Sequence, residues 1–250
     1  MADKKWKILL VNDDGIRSDG LSRLAAEAAK WGEVWVVAPD GQRSACSHSL
    51  TIDDPLIVHP YPFPVEGVHA FSCSGLPTDC VRIGLFGDLM PEKPDVVFSG
   101  INNGYNTGTD IQYSATVGAA LDAAMCGIPA IAFSEGFQAD TRESGFGHVI
   151  TDTYLPKVME ELLNEELIPG QVINVNFPDC SKESCKGVLR NCRVSMQNPY
   201  VDVYKKEEEF PDGGFRYSIH WVDRVYADEG TDSRVVLDGY VAIGVVNNIS

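Results

Sequence analysis

At 250 residues the chain is long enough for one large domain with a full hydrophobic core. Its formal net charge of -16 and pI near 4.6 exclude a surface for nucleic-acid polymers, and leave room for a small phosphorylated ligand where a bound cation reverses the local sign. The opening MADKKWK lacks the apolar core of a signal peptide, no apolar run reaches the roughly 18 residues of a membrane span, and seven irregularly spaced cysteines suit reduced thiols, so a cytoplasmic location without membrane association is expected.

From the N-terminus, KILLVN (7–12) reads as a continuous apolar strand, and DGLSRLAAEAAKWG (19–32) as a helix stopped by Gly32. EVWVVAP (33–39) is a second strand, and PTDCVRIGLFGDL (77–89) a helix with Pro77 in its first turn. DVVFSG (95–100) is a third strand, followed by a small-residue helix over 114–127 and the buried strand PAIAFS (129–134). A helix near 150–166 and the strand VINVNF (172–177) continue the alternation. Uniformly apolar strands alternating with helices imply a mainly parallel sheet covered on both faces, a doubly wound, Rossmann-like α/β fold. From about residue 188 the texture changes: RVSMQNPYVDVYKKEEEF and FRYSIHWVD read as long strands joined through PDGG, and RVVLDGYVAIGVV completes a β-rich tail. The expected division is therefore a catalytic domain over 1–187 and a β-rich extension over 188–250 used in oligomerisation.

This architecture places ligands at the carboxyl ends of its strands. Three polar loops fall there: NDDG after the first strand, DGQRSACSHS after the second, and SGINNGYNTGTD after the third. Asp13 and Asp14 are adjacent like charges, and a shared cation would turn their repulsion into chelation. Neighbouring side chains on a regular strand diverge, so both reach one ion only because the chain is leaving the strand. A Ser hydroxyl and an Asn carbonyl can complete an oxygen set. The glycines of 100–108 would let backbone N–H groups approach an anion, and the helix entered through YNTGTDIQYSATVGAAL offers its N-terminus to phosphate. A metal beside an anion cradle suggests phosphoester hydrolysis. Cys180, Cys185 and Cys192 have spacings that match no zinc pattern.

ILLVNDDGIRSDGL, VVAPDGQRSACSHSLT, SGLPTDCVRIGL and PDVVFSGINNGYNTGTDIQYSATVGAALDAAMCGIPAIAFS together resemble the SurE family of survival-protein-E nucleotidases, almost without gaps over residues 7–134. The resemblance implies metal-dependent hydrolysis of nucleoside 5′- and 3′-monophosphates, with short polyphosphate a further substrate of some members. It also implies one divalent cation per subunit, Mg²⁺ or Mn²⁺, and a C-terminal extension that builds homodimers or homotetramers. By motif, the metal ligands would be Asp13, Asp14, Ser44 and Asn102, with Asp13 or Asp14 also serving as base or nucleophile. Asn106, Thr107, Gly108, Ser114 and Thr116 would form the phosphate region. Asn12 is expected to order its loop, Asp79 to buttress its helix, and His48 to be a bystander.

The chain departs from the family where Ala45 follows Ser44, where Ala115 stands between Ser114 and Thr116, and where AIGVV (242–246) replaces the usual SITPL. Glycine is usual at the first two positions. Alanine there would sit at negative φ with shifted loops if glycine were required, whereas the expectation is that both methyl groups point away from the site, so that reverting both to glycine costs a little stability and leaves kinetics unchanged. Other functional classes fit less well. A haloacid dehalogenase-type phosphatase needs Asp-x-Asp and a downstream lysine, and a dinucleotide-dependent oxidoreductase needs G-x-G-x-x-G after the first strand, which NDDGIRSDG does not supply. A non-catalytic metal- or nucleotide-binding module would bind phosphate compounds without turnover.

Overall fold

The computed structural model describes residues 5–137, 146–198, 200–223 and 226–247. Its parallel core runs β4 (His69–Cys73), β2 (Gly32–Pro39), β1 (Trp6–Val11), β5 (Val96–Asn103), β6 (Ala130–Glu135) and β7 (Gln171–Phe177), in that spatial order. The order reverses between β1 and β5, which is the switch point of a doubly wound sheet. Alternate residues of each strand feed opposite faces. Ile8 and Leu10 join Val34 and Val36 under α1 (Asp19–Ala28) and α4 (Val149–Asn164), while Leu9, Val11, Trp35 and Val37 pack on the other face against α2 (Pro77–Phe86) and α3 (Ala115–Met125).

Two short strands are not evident in the sequence. β3 (Val58–Pro60) pairs antiparallel to β4, and β4 itself extends the parallel edge beyond β2. Gly32 does not end the first helix. α1 stops at Ala28, and Gly32 opens β2, where a Cβ would lie 1.9 Å from the Trp6 carbonyl oxygen, so close backbone approach between the paired strands demands glycine there. Likewise α2 ends at Phe86, with the Gly87 N–H closing on Ile83 O at 2.8 Å, rather than running to 89.

The C-terminal region, read as β-rich, also contains a helix and contributes to the main sheet. RVVL belongs to a short helix, α5 (Asp232–Leu237), started by the Thr231 hydroxyl, which accepts from the Arg234 N–H. β11 (Val241–Asn247) then returns to the main sheet, antiparallel to β7 and parallel to β8 (Val188–Leu189). Among the described residues the main sheet thus has nine strands, two of them from beyond residue 187. β9 (Tyr200–Glu209) and β10 (Phe215–Asp223) form a separate antiparallel ribbon. Its Tyr204, Tyr217, Ile219 and Val222 are exposed and Phe210 is half-buried, whereas the side chains of Tyr200 and Val201 lie outside the described residues. All seven cysteines are free thiols, and no helix among the described residues is long and apolar enough to cross a membrane.

Candidate metal centre

The loop after β1 is fixed before its carboxylates come into play. Asn12 is fully buried, and its Nδ2 donates to Gly15 O at 3.0 Å and to Ser18 Oγ at 2.7 Å; Ser18 in turn caps α1. This is the ordering role expected of Asn12. The next loop is stitched on by the Arg43 N–H to Asp13 O at 2.7 Å and the Ile16 N–H to Pro39 O at 2.8 Å. Asp13 and Asp14 therefore sit at the reversal of strand order, one residue from a structural asparagine.

Asp13 is almost wholly buried, and burial, then the neighbouring Asp14, pushes its carboxyl up to about 7. Burial also raises Asp14, and the nearby charge of Glu135 adds to this, although its Oδ2 accepts from the Asn103 N–H at 3.2 Å. Neither carboxylate has a Lys, Arg or His ion-pair partner among the described residues. Arg43, whose backbone N–H bonds Asp13 O, places its Nη2 on Asp40 Oδ1 at 2.8 Å instead. A buried carboxylate beside a half-buried one, with no side-chain cation among the described residues, is expensive, and a bound metal ion would remove that cost.

The two neutral donors expected from the motifs lie on the neighbouring loop and strand end. Asn102 stands at the end of β5, where a register break after Ser99 and the φ of +129° at Gly100 bend the strand. A Cβ at Gly100 would lie 2.2 Å from Phe133 O, so only glycine allows the bend. Asn102 turns its Nδ2 back to Gly104 O at 2.9 Å, which directs its lone-pair oxygen to other partners. Ser44 is exposed, follows the Arg43 that is tied to Asp13, and accepts from Gln42 Nε2 at 3.0 Å. The buried Oδ1 of Asn12 has no partner. An all-oxygen set of this kind suits a hard divalent cation. Among the described residues no group of three or more His, Cys, Asp or Glu could hold a metal, so a centre here rests on two carboxylates plus neutral oxygens.

The anion cradle expected of the glycine loop is largely taken by the protein itself. The Gly104 N–H donates to Glu135 O at 3.0 Å, the Asn106 N–H to Asn176 Oδ1 at 2.8 Å, and the Gly108 N–H to Asp232 Oδ2 at 3.1 Å. The N-terminus of α3 is occupied too. Ser114 caps it by accepting from the Val117 N–H at 3.1 Å, and both the hydroxyl and the backbone N–H of Thr116 bond to the Asp13 carboxylate, the hydroxyl at 2.5 Å. The anion at this helix start is Asp13. Asn106 is buried in a web with Ser134, Asn174 and Asn176, and the Thr107 hydroxyl accepts from Ser233 Oγ at 3.1 Å.

Ala45 adopts φ +58° in an exposed stretch, the left-handed conformation that glycine reaches without strain, so the negative φ considered for the case that glycine is required is not what alanine takes here. Ala115 is fully buried in the first turn of α3. Asp79 accepts from the Leu76 N–H at 2.8 Å and from Thr51 Oγ1 at 2.7 Å, which is the buttress expected of it. His48 lies 3.2 Å from the buried Asp122, which also takes Arg82, so this histidine is tied into a structural ion network. Sequence reading missed Glu135, a buried carboxylate held by Arg23, His148 and Thr151 beside Asp14. It missed Asn174 and Asn176 as well, although two asparagines at period two in the apolar run VINVNF were a visible signal.

The switch-point carboxylate pair sits on a doubly wound, mainly parallel sheet, which defines a Rossmann-like α/β protein. The Survival protein SurE family model matches residues 8–199, and the chain belongs to the SurE family. It is 39% identical to 5′-nucleotidase SurE of Clostridium botulinum (strain ATCC 19397 / Type A) over 94% of this chain and 90% of that one. It is 36% identical to 5′-nucleotidase SurE of Thermoanaerobacter sp. (strain X514), over 95% and 90% of the two chains. The crystal structure of the SurE protein from Aquifex aeolicus superposes with a TM-score of 0.78 at 34% identity, covering 97% of this chain and 94% of that one.

Proposed function

We propose that the protein is a divalent-metal-dependent 5′-nucleotidase that also removes phosphate from nucleoside 3′-monophosphates and from short polyphosphate. The observation that carries the reading is the Asp13–Asp14 pair at the switch point, one buried and one half-buried, with no cationic side-chain partner among the described residues, in a chain similar to proteins named 5′-nucleotidase. Asp13, Asp14, Ser44 and Asn102 would hold one Mg²⁺ or Mn²⁺ per subunit. Bound there, such an ion supplies charge neutralisation for the phosphate, orientation of its oxygens and a more acidic water.

The protein's own groups then have separable tasks. Asp13 is locked by Thr116 on one oxygen and serves as the fixed ligand. Asp14 is less buried and held only through the Asn103 N–H, so it is the carboxylate free to take a proton from water or to act as nucleophile. Because the Gly104, Asn106 and Gly108 N–H groups already have protein acceptors, the substrate's charge falls to the cation, with Asn106, Thr107 and Gly108 shaping the loop around it. Ser114 and Thr116 act one step removed, through the helix that holds Asp13.

The test is phosphate release from a panel of nucleoside monophosphates with Mn²⁺, with Mg²⁺ and with chelator. Turnover that needs metal supports the reading; metal and nucleotide binding without turnover would make the protein a binding module instead. The exposed apolar side chains of β9–β10 support a homodimer or homotetramer joined through that ribbon, and the free thiols suit the reducing cytoplasm.

A further inference from the structure

The turn that follows Thr107 is gripped from the far end of the chain. Asp232 Oδ2 accepts from the Gly108 N–H at 3.1 Å, while its Oδ1 accepts from Ser195 N–H at 2.9 Å and from Ser233 N–H at 2.7 Å. Asn198 accepts from Thr109 Oγ1 at 2.8 Å and donates to Asp110 Oδ1 at 2.5 Å. Gly108 has φ +56°, and a Cβ there would lie 2.6 Å from Gln197 O, so the two segments meet backbone to backbone. Asp232 is nearly fully buried, and three N–H donors supply what solvent cannot.

What the turn holds makes this grip more than packing. Gly108–Gln112 forms a 3₁₀ turn that runs straight into Ser114, the cap of α3, and thence to Thr116 on Asp13. Its other side carries the Ser44 loop: Ser47 Oγ donates to Gln112 O at 2.6 Å and the Ser47 N–H to Tyr113 O at 3.0 Å. One short turn therefore touches the supports of two expected metal donors.

We propose that Asp232 and Asn198 are positioning residues for the metal centre, clamping the 108–112 turn so that Asp13 and Ser44 stay in register for one cation. This rests on the metal-dependent reading above. It assigns the C-terminal region a role inside the subunit, apart from any role in assembly.

Asp232→Asn is nearly isosteric but keeps one acceptor oxygen, so it can serve Gly108 or the Ser195–Ser233 pair and not both. Asn198→Ala removes the second tie. The control is Thr231→Ala, which weakens the start of α5 and touches neither Gly108 nor Asp110. The full-length proteins are titrated with Mn²⁺ by calorimetry, their thermal melts recorded, and amide exchange of 108–112 followed. Both clamp variants are expected to melt cooperatively, to exchange faster in the turn, and to bind Mn²⁺ about tenfold more weakly or worse, the scale seen when partners of metal ligands are removed. Thr231→Ala, with a comparable drop in melting temperature, keeps wild-type Mn²⁺ affinity. Clamp variants no weaker than Thr231→Ala overturn the inference alone, whereas wild-type protein that binds no Mn²⁺ overturns the metal-centre reading and this inference with it.

Discussion

Replacing Thr116 with valine keeps the shape of the side chain and deletes the hydroxyl that donates to Asp13 Oδ1 at 2.5 Å. Both groups are buried, and a hydrogen bond to a charged acceptor in such a place contributes about 1.5–3 kcal/mol. At 1.4 kcal/mol per factor of ten, that is about a ten- to hundredfold loss of affinity for an ion that needs Asp13 ionised and aimed. The metal-free protein should suffer less. Its Asp13 already titrates at about 7, so it can take up a proton and shed most of the cost of lying unpaired. The signature is therefore an asymmetry: Mn²⁺ affinity measured by calorimetry falls ten- to hundredfold, while the metal-free melting temperature drops by only a few degrees. Thr116→Ser, which retains the hydroxyl, should bind within about threefold of wild type. A valine variant with undiminished affinity, or a serine variant as weak as valine, would refute the assignment of Thr116 to Asp13.

Asp14→Asn should abolish metal binding and phosphatase activity together while the protein stays folded, because removing one charge relieves the repulsion between the carboxylates; full activity in the purified variant sinks the centre. Ala45→Gly should raise stability by about 1 kcal/mol, or roughly 2–4 °C in Tm, since alanine at φ +58° is strained, the reverse of the small cost expected from sequence. An unchanged or lower Tm would show that the unfolded chain's entropy outweighs the strain. The hydrogen bond from His148 to buried Glu135 raises the histidine's pKa, so its contribution is fully present below the ordinary value near 6.5 and fades as pH rises through the raised one. The Tm gap between wild type and His148→Gln should thus be wider at about pH 6 than at about pH 9; a gap that widens with pH contradicts the pairing. Deleting 199–222 should reduce the mass seen by light scattering, and an oligomer of unchanged size would leave the ribbon without an assembly role.

The α/β core was legible because its signals are local and strong. Fully buried parallel strands read as unbroken apolar runs, and Ile8 through Val11 form such a run from end to end. Where the sequence misled, a tertiary contact overrode a local sign. Gly32 looks like a helix stop, yet it is there because β1 passes within van der Waals reach of its α-carbon. β4 is five mixed residues, HAFSC, without regular alternation, too short and irregular to stand out against neighbouring loops. The return of β11 to the sheet beside β7 depends on a pairing some seventy residues apart, which no local window contains.

The site divides along the same line. Paired aspartates at a strand end and polar loops on one sheet edge are statements about sequence position, and topology alone brings them together. What each group bonds to is a statement about space. Glycines and a helix start near a candidate site suggest an anion cradle, but a donor can serve a ligand only if no protein acceptor has claimed it first. Here Asp13, Asn176 and Asp232 claim the Thr116, Asn106 and Gly108 N–H groups, and two of those acceptors are carboxylates in a chain of net charge -16. A chain so acidic meets its own negative charge with backbone donors, and at Asp13 and Asp14 it adds no cationic side chain to them among the described residues. On the metal-dependent reading proposed above, phosphate binding should therefore depend on the cation and not on a preformed nest of N–H groups.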